Sequence, residues 1–310
     1  MPNWLRDSAI AQGNLTLFDT RLMREAEKRL AVHADFAEMC ADLFLADSGR
    51  DLSDLLAEAG ATYIPRNLPS DVPHGHTDYL SGVRKSFFAL DRISFLSAFR
   101  LACAKRGCTL DHTLFLPKED TPLHRIAYVR NMYTEEAYEI FTQEDEEATL
   151  LYTDGFPEAC QAVAEGQADF CILPFENSSG PLGSFQDMAA RFSLTVVALC
   201  RVFHADGTDA THFALLARKP LPSRGGDTPC IRFSFSVEDG GVLTEHLAAF
   251  SACGATLTAM SSLPDTVGKT SLSCTLTLRC AREDAFLPLA YLYTFTDFPR
   301  LLGFYEEIEE

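Results

Sequence analysis

The 310-residue sequence has no Cys-x-x-Cys pair, no Gly-x-Gly-x-x-Gly, no full Gly-x-x-x-x-Gly-Lys-Ser/Thr Walker loop and no Gly-x-Ser-x-Gly. Their absence argues against a zinc ribbon or thioredoxin-type motif, a phosphate-cradling loop and a serine-hydrolase elbow. Cations are also scarce. Lys and Arg number 26 against 44 Asp and Glu, a net charge of −18. Nucleic acids and anionic membranes need clustered cations, so neither is an expected partner. No apolar run approaches the ~20 residues that span a bilayer. The start, Met1-Pro-Asn-Trp-Leu-Arg-Asp7, lacks the charged-then-apolar pattern of a signal peptide.

What is present is an ordinary globular balance, 47% hydrophobic and 23% charged. The ten cysteines fall partly inside apolar strands, as in Phe170-Cys171-Ile172-Leu173. They read as buried reduced thiols of a cytoplasmic protein. The length suggests two or three domains.

Residues 1–120 read as a mostly helical region of no assigned family. Asp19 is a candidate cap for a helix to about Leu45, with a shorter helix at Ser53–Ala59 and a third at Ser81–Arg106. His74-Gly-His76 with Asp71 and Asp78 lies in a Pro-rich stretch without a partner cluster. It reads as a surface loop, and no metal is expected. Glu144-Asp-Glu-Glu147 reads as a solvated acidic turn. Residues 121–220 alternate short apolar strands with helices, the texture of an α/β layer. A Pro/Gly-rich linker at Pro220–Pro229 precedes residues 229–310. These read strand, helix, strand, strand, helix, strand, which is a ferredoxin-like βαββαβ order.

The chemistry-bearing stretch is Pro174-Phe-Glu-Asn-Ser-Ser-Gly180, which follows the most apolar strand. Ligands in open α/β sheets bind beyond the carboxyl ends of strands. Glu176, Asn177, Ser178 and Ser179 would offer hydroxyl, amide and backbone groups there.

This strand and loop resemble the prephenate dehydratase signature, an apolar strand ending Pro-Ile-Glu-Asn-Ser/Thr. Phe156–Asp169 is similar to the family's helix before that strand. Ala127-Tyr-Val and Thr134-Glu-Glu-Ala resemble its opening strand and helix. Thr211-His-Phe213 matches its Thr-Arg-Phe motif at two of three positions. The tail resembles the ACT regulatory domain, with Gly241-Val242-Leu243 in its first loop, Leu257–Pro264 on its second strand and Leu302-Gly-Phe-Tyr305 near its end. The implied fold is α+β/α. It has a helical N-terminal region, a single α/β lobe resembling half of a periplasmic-binding-protein-like dehydratase domain, and a C-terminal ACT domain.

The implied reaction is loss of water and carbon dioxide from prephenate, giving phenylpyruvate for phenylalanine synthesis, with no cofactor. Thr211 would assist hydroxyl departure, with Asn177, Ser178 and Glu176 beside it. Ser179, Phe213, Arg130 and His212 would bind substrate. Gly241, Val242, Leu243, Thr256, Ser262 and Pro264 would hold an effector. The partner would be a small carboxylate, prephenate or an aromatic amino acid, and the chain a homodimer.

The chain also departs from this pattern. Arg130-Asn-Met-Tyr133 replaces a glycine-rich loop, and His212 replaces the motif arginine. Ser261-Ser-Leu-Pro264 replaces Glu-Ser-Arg-Pro, and Thr256 stands for the usual Asn. Only His204–Ala210 separates the strand leaving the lobe from Thr211, too few residues for a second α/β lobe. A non-catalytic amino-acid-binding regulator that lost that lobe is therefore the alternative, as is an ACT fold that serves only to dimerise. The 121–228 segment is also the most acidic, with 7 Lys and Arg against 16 Asp and Glu. That acidity opposes a dianionic substrate unless local cations offset it.

Overall fold

The computed structural model describes residues 17–46, 52, 92–116 and 124–308, except 144, 146, 206, 208, 222–226, 239 and 265–271. The expected helix at Ser53–Ala59, the His74–His76 stretch and half of the acidic turn at 144–147 lie outside these residues.

Two compact units are formed. The first takes in Met1–Leu110, Leu243–Cys253 and Phe286–Phe295. Its described elements are all helical: α1 (Leu17–Ala46), α2 (92–105), most of α6 (Gly240–Ala252) and α7 (Phe286–Phe295). Rings hold α1 to α2: Phe36 lies 5.4 Å from Phe95, and Phe44 lies 6.2 Å from Phe99. The Arg106 guanidinium bridges Glu38 and Asp42 on their outer side. Between α2, α6 and α7 runs a polar chain. Arg92 donates to the Tyr291 hydroxyl at 3.3 Å, His246 Nδ1 meets that hydroxyl at 3.0 Å, and Glu245 lies 3.7 Å from Arg92. Buried polar groups need such partners, because a lone one costs its full desolvation.

The second unit contains the sheet. Its strands are β1 (Arg125–Val129), β2 (Thr149–Thr153), β3 (Phe170–Asn177), β4 (Gly180–Pro181), β5 (Thr195–Phe203), β6 (Ala210–Ala217), β7 (Cys230–Val237), β8 (Thr256–Pro264), β9 (Leu272–Arg279), β10 (Asp297–Tyr305) and β11 (Glu307–Ile308). The helices α3 (Met132–Thr142), α4 (Phe156–Ala164) and α5 (Gly183–Arg191) belong to it. The strand order is β2-β1-β3-β6-β5-β10-β7-β9-β8, with β4 beside β3 and β11 beside β5.

β2, β1 and β3 run parallel, as βαβ connections through α3 and α4 require. β3 lies between β1 and β6, and Phe170–Leu173 are buried on both faces, which explains the unbroken apolar run. The order then changes sense. β6 is antiparallel to both β3 and β5, so the sheet is mixed rather than parallel throughout. The reason is the short His204–Asp209 connection, which permits only a hairpin.

The C-terminal strands add β10-β7-β9-β8, all antiparallel, in the expected strand–helix–strand–strand–helix–strand order. They do not form a separate sheet. β10 pairs parallel with β5 at Gly303 and Val196, and β11 continues along β5 at Glu307 and Ile308.

Two cores lie on opposite faces of the lobe. Ala214, Leu216, Phe175, Cys230 and Tyr305 share one with α4 and α5. Phe213, Leu215, Val202 and residues of α3 share the other. None of the ten cysteines is in a disulfide, and nine are buried. Among the described residues no helix is long and apolar enough to cross a membrane, and no group of three His, Cys, Asp or Glu is placed to hold a metal ion.

Candidate functional site

The site starts from register. β3 and β6 pair so that Asn177 faces Thr211 and Glu176 faces His212, with an irregularity between Pro174 and Glu176. Such a bulge re-aims the side chains that follow it. The two motifs picked out in the sequence therefore meet across one pair of strands.

Alternation then separates them. Successive strand residues point to opposite faces. Thr211 shares parity with Phe213 and Leu215, on the α3 face. His212 shares parity with Ala214 and Leu216, on the α4/α5 face. Thr211 and Asn177 are thus on one side of the sheet, and His212 and Glu176 on the other.

On the Thr211 side, three residues not singled out in the sequence complete a polar cluster. Thr211 Oγ1 lies 3.0 Å from His204 Nε2. His204 Nδ1 lies 4.0 Å from Asp209 Oδ2. Hydrogen bonds to Asp209 from the Ser178 side chain, then from the Ala210 N–H, hold its carboxyl below the usual range, and the charge of His204 adds to this. The Tyr133 ring sits 5.1 Å from the imidazole. Hydroxyl, imidazole and carboxylate therefore follow one another, the arrangement that poises a hydroxyl for proton transfer. The hint in the sequence was a His and an Asp inside the hairpin that leads into Thr211.

The remaining candidates are placed as follows. Asn177 Oδ1 accepts from the Ser179 N–H at 2.9 Å, which closes the turn after β3. Ser178 and Ser179 are exposed, Glu176 is half-buried, and Phe213 is core. Arg130 is turned to other work. It pairs with Glu135 at 3.0 Å and lies over the Tyr152 ring at 5.1 Å.

The loop beside Arg130 is short because Asn131 caps α3 directly. Its Oδ1 accepts from the N–H groups of Tyr133 and Thr134, each at 3.1 Å, and the Thr134 hydroxyl accepts the Asn131 N–H in return. Two first-turn donors that a glycine-rich loop would leave for a ligand are thereby used.

His212 is also committed. Its Nε2 meets Glu307 Oε1 at 2.9 Å, and its Nδ1 is enclosed without a hydrogen-bond partner. Neither nitrogen serves a ligand at Thr211. Of the expected effector residues, Gly241, Val242 and Leu243 lie in the first turn of α6, while Thr256, Ser262 and Pro264 lie along β8.

No family model and no curated protein matches the chain. Solved structures resemble part of it. Prephenate dehydratase from Streptococcus mutans is 20% identical with a TM-score of 0.48, over 59% of this chain and 98% of that one. A quorum-quenching acylase of a novel type is 21% identical with a TM-score of 0.44, over 59% and 94%. Prephenate dehydratase from Arthrobacter aurescens, in complex with L-Phe, is 14% identical with a TM-score of 0.47, over 59% and 90%. Each is a protein that this chain is similar to in part.

Proposed function

We propose that the chain is a prephenate dehydratase-related protein that acts on a small carboxylate at the β3–β6 edge. One observation carries the reading: Thr211 faces Asn177 in register and is hydrogen-bonded to His204. The motif residues quoted from the sequence support it.

In this reading the substrate's departing hydroxyl lies beside Thr211 Oγ1. His204 in its imidazolium form donates through Nε2 to Thr211 and faces Asp209 with Nδ1. The Thr211 proton is then free to pass to the leaving hydroxyl, giving water, and the proton of His204 replaces it. The C–C electron pair of the lost carboxylate stays with the ring, which becomes aromatic as carbon dioxide departs. Catalysis is positioning plus one proton. The C-terminal strands and helices would act as an ACT regulatory part that binds an aromatic amino acid, in a homodimer.

A second reading is favoured by Arg130 and His212. Arg130 is paired with Glu135, and His212 lies on the other face paired with Glu307, so neither offers Thr211 a bidentate carboxylate clamp. In that reading the chain binds an amino acid and regulates without catalysis. Incubation of the purified protein with prephenate, followed by phenylpyruvate absorbance, separates the two. The first expects formation above the spontaneous rate; no excess leaves the second.

A further inference from the structure

The most deeply buried arginine among the described residues has no carboxylate partner. Arg232, on β7, is 8% exposed, and no other described Lys, Arg, Asp or Glu is buried. Arg92, Arg106 and Arg282, which are more exposed, each pair with an acid. Arg232 has no acidic partner within ion-pair distance among the described residues, in a protein of net charge −18.

Two neutral groups hold it. Its guanidinium lies 4.9 Å over the Phe175 ring, and Nη2 donates to Gln186 Oε1 at 2.8 Å. Gln186 Nε2 in turn donates to the Phe175 carbonyl at 3.3 Å. Stacking fixes the plane of the guanidinium, and the glutamine fixes its rotation. The remaining N–H donors have no protein acceptor, yet none is sealed from solvent. A buried cation costs stability unless an anion or hydrogen bonds compensate it, so folding to this arrangement leaves a donor fork unspent.

The geometry points to Arg232 as the anchor of a second site, one that takes the carboxylate of a small organic acid bidentately. A planar fork with one edge tied to glutamine and the other open fits a planar carboxylate. The site lies on the α4/α5 face, opposite Thr211, because Arg232 shares strand parity with Cys230 and its ring partner is Phe175. It touches the residue before Glu176-Asn177-Ser178. A carboxylate held there binds β7 to the strand that carries the candidate catalytic loop. The assignment is independent of the dehydratase reading.

The test titrates acetate and benzoate into the 310-residue chain by calorimetry, with inorganic phosphate as a tetrahedral control. Saturable binding of at least one carboxylate, near one per chain, is expected. Arg232→Met keeps the stem and removes the fork, and it should abolish that binding. Because it also removes an uncompensated buried charge, its melting temperature without ligand should equal or exceed that of the wild type. Arg232→Lys should bind at least about tenfold more weakly, and it supplies the readout if Arg232→Met fails to fold. Arg201→Met, at an exposed arginine stacked on Phe203, should bind as the wild type does, which separates loss of the Arg232 fork from loss of any surface charge. No carboxylate binding at millimolar concentration overturns the assignment, as does unchanged binding in both arginine variants. Phosphate binding as tight as that of every carboxylate would overturn the planar fork.

Discussion

Gly303 on β10 lies directly against Val196 on β5, the register point at which the C-terminal strands join the lobe's sheet. A methyl group at 303 would meet the Val196 carbonyl oxygen at 2.8 Å and Val196 Cβ at 3.0 Å. Backbone on one side leaves no flexible group to move aside. Gly303→Ala should therefore destabilise the fold by about 1–3 kcal/mol, the usual range for overpacking. Urea unfolding measures it. An unchanged midpoint would mean that β10 and β5 are not held this closely.

Thr211 and His204 give the second expectation, which applies if the wild type turns over prephenate. Thr211→Val should lower kcat by roughly 10²–10⁴-fold, the range for a lost proton-transfer group, while Thr211→Ser retains part of the rate. His204→Gln should lower kcat with a smaller change in KM, because His204 acts through the threonine. Equal rates for wild type and Thr211→Val would remove Thr211 from the chemistry.

Acid sensitivity should be traceable to His246. Burial, with the charge of Arg92 adding to it, pushes its imidazole down to about 4 from an ordinary 6.5. Its folded value is the lower one, so between these pH values the unfolded chain holds a proton that the folded chain does not. Stability is fully present above pH 6.5 and falls as pH drops toward 4, by about 3 kcal/mol in all. His246→Gln should flatten this part of the pH profile, followed by circular dichroism at 222 nm. An unaltered slope in the variant would count against the histidine.

β8 is the terminal strand of the sheet order and carries exposed apolar side chains, Leu257 at 42% and Met260 at 51%. An open edge of this kind is a template for pairing with a second chain. The proposed homodimer should use it, and Met260→Lys should shift sedimentation toward the monomer. A monomeric wild type at micromolar concentration would refute the proposal.

Much of this was readable along the chain, for a local reason. Periodicity marked the helix from Asp19 to about Leu45, found at Leu17–Ala46, and the apolar run of β3 marked its place between two other strands. The tail's strand and helix spans followed from the same alternation. His204 and Asp209 were missed because a hairpin loop has no period, and their role exists only through contacts with Thr211 and Ser178. Which face Glu176 and Asn177 take was missed because the bulge before Glu176 resets parity on β3, and a bulge leaves no mark in composition.

By itself, then, the sequence determined which segments are strands and helices, since these depend on spacings of two and about four residues. The tertiary structure alone decided which strands meet. In Cys230-Ile-Arg-Phe-Ser-Phe-Ser-Val237 the alternation would turn Arg232 outward with the serines. Burial came instead from Phe175 and Gln186, more than forty residues away, which cover that face of β7. Register between distant strands is set by packing and turn geometry rather than by local preference. That is why the opposition of Asn177 to Thr211, the Gly303–Val196 seam and the unpaired guanidinium of Arg232 exist only in the folded chain.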